Sequence, residues 1–190
     1  MDDVALTARL AADLDGTFED LVNGHADRLY SIALRILGRP ADAEDATQDA
    51  LVRAYRALAG YETSRIRELR LRPWLATIVV NVCRSHWKRR TAAQLDPLLD
   101  AGLDPADVSA AEPEAVHAAR ARLDHLGSLV AALPERYRVP LVLRHVDDLS
   151  YAEVAEVLGR PEGTVKAQVH RGILMLRSAL DARDREELTA

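Results

Sequence analysis

The chain has 190 residues, a length that suits two small helical domains better than one large core. Hydrophobic residues make up 48% and charged residues 29%, a globular composition that excludes an intrinsically disordered chain. The one cysteine, Cys83, excludes a disulfide framework, and the longest apolar stretch (75–80, broken by Thr77) is far short of the ~20 residues of a membrane span.

The net charge of −5 conceals an alternation along the chain. Residues 1–50 sum to −7, 53–90 to +8, 91–135 to −6 and 136–180 to +2, so separate faces for a basic and for an anionic partner are expected. Asp2, Asp3, Asp13 and Asp15 at the start are the opposite of a basic signal-peptide start, and a cytoplasmic protein is expected.

Helical periodicity dominates and no strand alternation competes with it, so the expected class is all-α. A first helix is expected over 17–37, with Phe18, Leu21, Leu29, Ile32 and Ile36 inward and Gly38 and Pro40 ending it. The next opens at Ala41–Asp42 and runs to Ala59 on a stripe of Ala43, Ala46, Ala50, Leu51, Ala54 and Leu58. A polar, Arg-rich connection over 61–71 leads to Pro73, which suits the first turn of a third helix reaching Arg90. From Thr91 to Ala119 there is no Lys or Arg, and three prolines interrupt six carboxylates; residues 91–112 are expected to be a flexible acidic linker. Helix resumes near Glu114 and continues to Leu133, and Pro134 begins another helix ending near Val146. Ser150-Tyr-Ala-Glu153 is a capping box opening a short helix that stops at Gly159. After the Arg160-Pro-Glu-Gly163 turn a last helix is expected over 164–180, followed by a frayed charged tail.

Residues 149–180, LSYAEVAEVLGRPEGTVKAQVHRGILMLRSAL, therefore form a helix-turn-helix, whose second helix enters the DNA major groove. In that helix Val165, Val169, Gly172, Ile173, Leu176 and Leu180 follow the 3.6-residue period and are assigned to the core. Ala167, His170 and Arg171, flanked by Thr164, Lys166 and Arg177, are left to contact guanine edges, thymine methyls and phosphates.

This block, with Leu133-Pro-Glu-Arg-Tyr-Arg138 before it, resembles the C-terminal domain of bacterial extracytoplasmic-function sigma factors. The N-terminal half resembles the same family independently. Asp42-Ala-Glu-Asp-Ala-Thr-Gln-Asp49 with 51–55 is similar to its core-polymerase-binding helix. Trp74-Leu75, Asn81 and Lys88-Arg-Arg90 are similar to its helix that melts and reads the −10 element. The resemblance spans 17–90 and 126–180 and implies domains at 1–90 and 113–190 joined by the linker 91–112. It further implies core RNA polymerase and promoter DNA as partners, a membrane-linked anti-sigma factor, no cofactor, no small-molecule substrate and no catalysis.

The residues make physical sense of those roles. Asp42, Asp45 and Asp49 lie at i, i+3 and i+7, with Gln48 beside them and Arg56 beyond, an acidic face opposite the alanine stripe that could pair with basic helices. Acids near a helix N-terminus also complement the macrodipole, which is the bland account of the same residues. Thr77, Asn81, Arg84 and Lys88 fall on one face, with Arg89 and Arg90 at its end and Arg65, Arg67, Arg70 and Arg72 before it, suited to phosphates and unstacked bases. Trp74 is assigned to the core, and Trp87 to either core or stacking. The helix around Ala167, Gln168 and Ile173 is less basic than in many relatives, so promoter preference does not transfer.

Two rivals follow from the same residues. A one-component helix-turn-helix regulator would use the N-terminal half as a sensor or dimerisation bundle. A helical metal enzyme would use Glu114-x-x-His117 or Cys83-x-x-His86, but each motif occurs without the further ligands that such a site needs.

Overall fold

The computed structural model describes residues 2–94 and 125–187, with side chains for 2–89 and 125–181. All regular structure among the described residues is helical. The linker beyond Gln94, the helix start near Glu114 and the pair Glu114 and His117 lie outside the described residues.

Five helices build the first domain: α1 (Asp3–Ala12), α2 (Leu14–Leu37), α3 (Pro40–Ala59), α4 (Thr63–Arg67) and α5 (Leu71–Gln94). The Asp2 and Asp13 carboxylates accept from the Val4 and Gly16 backbone N–H groups, so two acids cap α1 and α2 at ends that favour negative charge. Gly38 ends α2 in the left-handed conformation, and Pro40 sits in the first turn of α3, where its missing N–H costs nothing. The alanine stripe of α3 is fully buried, and these small side chains let α3 lie close against α2. Leu21, Leu29, Ile32 and Ile36 of α2 meet Leu75, Val79, Val82 and Cys83 of α5 in this core. Burying each such large side chain stabilises the fold by about 1.5–3 kcal/mol.

The second domain comprises a helix over 125–132 (α6), α7 (Glu135–His145), α8 (Tyr151–Leu158) and α9 (Glu162–Glu187). The capping box is present: the Ser150 hydroxyl accepts from the Glu153 N–H while the Glu153 carboxylate accepts from the Ser150 N–H. Gly159 turns the chain with φ 61°, a conformation a Cβ would strain. Val154, Val157, Val165 and Val169 close α8 and α9 over Leu141–Leu143 of α7.

The structure corrects several expectations. The first helix expected over 17–37 begins at Leu14, and a whole helix, α1, precedes it. The polar connection over 61–71 contains α4, whose Ile66 is buried beneath α1. Helix α5 continues to Gln94. The last helix starts at Glu162 and runs to Glu187, so Glu162 and Gly163 are helical and the expected fraying after Leu180 is absent up to Glu187. Leu180 is exposed rather than inward.

The two domains touch. Helix α7 packs on α2, and α8 on α5. No described helix is long and apolar enough to cross a membrane.

Candidate functional site

On α9 the polar residues point away from the fold. Thr164, Lys166, Ala167, His170, Arg171 and Arg177 are exposed, while Val165, Val169 and Gly172 are buried against α7. A Cβ on Gly172 would stand 3.0 Å from Leu141 Cδ1, so the glycine sets how closely α9 approaches α7. Glu162 accepts from Lys166 at 2.8 Å, one turn along, and holds that ammonium above its ordinary pKa. Gln168 is half-buried and accepts from Arg160 at 3.0 Å, so it braces the turn. Tyr137 of α7 joins Thr164, Ala167, Gln168 and Arg171 around an open depression at the start of α9. Sequence reasoning missed Tyr137, because the residue comes from another helix.

On α3 Asp45, Gln48 and Arg56 are exposed, and Asp42 and Asp49 are half-buried. Asp49 accepts two hydrogen bonds from Arg53, the closer at 2.9 Å, and Asp42 lies 3.8 Å from Arg39. Between them stand Val52 and Tyr55, exposed by 46% and 37%, which fall within the 51–55 stretch of the resemblance but were not named there as residues of this face. Val52 lies at i+7 from Asp45, a spacing that could have placed it on this face. The Tyr55 hydroxyl donates to Asp15 at 2.6 Å, and its ring meets Phe18 edge-on at 5.1 Å. The face thus combines charges at its ends with an apolar middle.

On α5 Asn81, Lys88 and Arg89 are exposed. Thr77 is half-buried and its hydroxyl donates to the Pro73 carbonyl at 2.9 Å. Arg84 is half-buried and donates to Glu135 of α7 at 3.1 Å. Arg90 belongs to the helix, but its side chain lies outside those described. Trp74 is half-buried at 6.2 Å from Tyr61, and Trp87 is half-buried with the Arg138 guanidinium 4.3 Å over its ring. Cys83 is buried, and desolvation pushes its thiol up to about 12. Among the described residues no group of three His, Cys, Asp or Glu side chains is placed to hold a metal.

Two helical domains, the second presenting an exposed recognition helix, define a helix-turn-helix DNA-binding protein. Residues 21–93 match the family model for sigma-70 region 2, and residues 123–176 match that for sigma-70 region 4. The chain is 31% identical to the ECF RNA polymerase sigma factor SigW of Bacillus subtilis, over 86% of this chain and 88% of that one. It is 32% identical to RNA polymerase sigma-E factor of Streptomyces coelicolor, over 88% of each. With the ECF sigma factor SigE of Mycolicibacterium smegmatis it shares 32% identity over 86% of this chain, spanning 62% of that protein's length. The solved structure of CnrH in complex with the cytosolic domain of CnrY aligns with a TM-score of 0.69 at 25% identity, covering 96% of this chain and 99% of that one. Bartonella quintana RpoE, solved with the anti-sigma factor NepR, shares the fold with a TM-score of 0.66 at 22% identity, over 86% of this chain and 96% of that one. The chain belongs to the ECF RNA polymerase sigma factors. It is an alternative sigma factor, a protein of transcription initiation.

Proposed function

We propose that three separate faces carry the work of this sigma factor. Asp42, Asp45, Gln48, Asp49 and Arg56 of α3, with Val52 and Tyr55 between them, bind core RNA polymerase. Thr77, Asn81, Arg84, Lys88, Arg89 and Arg90 of α5 open and read the −10 region. Thr164, Lys166, Ala167, His170, Arg171 and Arg177 of α9 read the −35 element in the major groove. The domains take 1–90 and 113–190, and 91–112 links them. The chain acts in the cytoplasm without cofactor, small-molecule substrate or catalytic chemistry, and an anti-sigma factor, membrane-linked in many systems of this type, restrains it.

The observation that carries this reading is the division of α9 into a buried apolar side and an uncovered polar side. Arg and His on such a face donate to base edges, and the Ala167 methyl fits a thymine methyl. His170→Ala and Arg171→Ala test it. Each is expected to cost roughly 1–3 kcal/mol of initiation at promoters that depend on a −35 element, and to spare promoters made independent of it. Equal losses at both promoter types would instead place these residues in general phosphate contact.

A further inference from the structure

Among the described residues, Arg28, Arg70, Arg72 and Arg84 of the first domain form ion pairs with carboxylates of the second. Arg28 of α2 grips the Asp147 carboxylate with Nε and Nη2, the latter at 3.0 Å, and Arg72 of α5 donates to the Asp147 carbonyl oxygen. Arg70 reaches Glu153 and, at 3.3 Å, Glu156 of α8. Arg84 donates to Glu135. The Asp147 side chain has no exposed surface, although it sits at the corner between α7 and α8. Its carboxylate partners come from the first domain, not from its own. The next residue, Asp148, takes φ 52°, an uncommon conformation for a non-glycine residue, and this turn delivers Asp147 to the arginines. Arg138 completes the seam by donating to the Ile36 carbonyl at 2.6 Å, at the C-terminal end of α2, where a cation is favoured.

This arrangement conflicts with reading a promoter. Elements centred near −35 and −10 lie about 25 base pairs, or ~85 Å, apart along the duplex. A closed globule of this chain length has a radius of gyration of only ~16 Å. The domains must therefore separate before both readers can engage, and closure also occupies Arg84, one of the residues assigned to the −10 region.

We propose that the arginine row Arg28, Arg70, Arg72 and Arg84 is an intramolecular docking site for the acidic edge Glu135, Asp147, Glu153 and Glu156, holding the free chain in a closed, promoter-incompetent state with Asp147 as the latch. The inference rests on the sigma-factor reading above. The same guanidiniums fit phosphate oxygens once the acidic edge leaves. The exposed pairs contribute little in water and are screened by salt, whereas Asp147 is buried, and removing its charge leaves Arg28 without its carboxylate.

The test measures domain separation in the full chain. Nitroxide labels go on Glu19→Cys and Ser178→Cys, both exposed, while buried Cys83 stays unlabelled. Double electron–electron resonance of the unsubstituted latch is expected to give one narrow distance. Asp147→Asn is expected to add a longer, broad component holding most of the population, and to raise affinity for a promoter duplex without core polymerase at least fivefold. Glu135→Gln with Glu156→Gln, at exposed positions that do not threaten folding, is expected to shift both readouts the same way by a smaller amount. An unchanged narrow distribution in both variants overturns the proposal, and so does opening without a gain in promoter affinity. Run-off transcription by core with the wild-type chain separates the two layers. Its absence counts against the interface assignments, whereas normal transcription with an unmoved distance distribution overturns the latch alone.

Discussion

Gly172 of α9 lies against Leu141 of α7 so closely that an added Cβ would stand 3.0 Å from Leu141 Cδ1 and 3.5 Å from the Tyr137 carbonyl oxygen. The recognition helix is thus seated by an absence of side chain. Gly172→Ala should push α9 or the Leu141 side chain outward, an overpacking cost of about 1–3 kcal/mol against a helix-propensity gain of about 1 kcal/mol, for a net loss of up to about 2 kcal/mol. Thermal unfolding measures that cost, and transcription at a −35-dependent promoter should fall with it. An unchanged or raised melting temperature would show that Leu141 gives way freely.

The polymerase-facing assignment of α3 depends on charge and on Val52 together. Asp45→Arg with Asp49→Arg is expected to weaken association with core polymerase at least tenfold, about 1.4 kcal/mol, with the helical circular dichroism unchanged. Both residues lie away from the buried alanine stripe, so folding should not suffer. Undiminished co-purification with core would move the interface to another face.

Asp148 occupies the left-handed region at φ 52° without the freedom glycine has there. Asp148→Gly should relieve that strain and stabilise the chain by roughly 0.5–1 kcal/mol, after the extra entropy of glycine in the unfolded state is deducted. A lowered urea midpoint would mean that the Asp148 side chain contributes more than the backbone strain removes.

His25 is buried on α2, and desolvation lowers its pKa, with Asp3 opposing and Arg28 and Arg72 assisting the shift. The unfolded chain therefore takes up this proton near pH 6.5 while the native chain resists it. No penalty exists well above pH 6.5, and stability falls as the pH drops from there towards the lowered native value. Burial raises the Asp147 carboxyl, partly offset by Arg28, and this acts in the opposite sense: native Asp147 holds its proton at pH values where the unfolded carboxyl has released it. The difference in urea midpoint between wild type and His25→Gln, followed from pH 7.5 to 5, isolates the histidine. It should change in favour of the variant as the pH falls, and a difference independent of pH would contradict the assignment.

Much of this architecture was legible because its cues are local. The capping box at Ser150, Gly159, the alanine stripe of α3 and the alternation of buried and exposed residues on α9 all act within a few residues. Helix α4 escaped because five residues with one buried isoleucine, Ile66, carry no period. Helix α1 escaped although Leu6 and Leu10 are buried at i and i+4, because its aspartates read as an acidic lead rather than as caps. The seam escaped for a different reason. Arg28 and Asp147 are 119 residues apart, and nothing in either neighbourhood marks the other. The exposed side chains of Val52 and Tyr55 were passed over because neighbouring Leu51 and Ala54 satisfied the apolar stripe.

The central claim, that this chain directs core polymerase to promoters, is tested most directly by titrating labelled promoter DNA at fixed salt with the chain alone and with the chain plus sigma-free core polymerase, then adding nucleotides. The account predicts weak binding by the chain alone, tight and sequence-selective binding with core, and transcripts that begin only when both are present. Nanomolar binding by the chain alone as a dimer on a palindromic site, with no gain from core and no transcript, would contradict it and favour a one-component regulator.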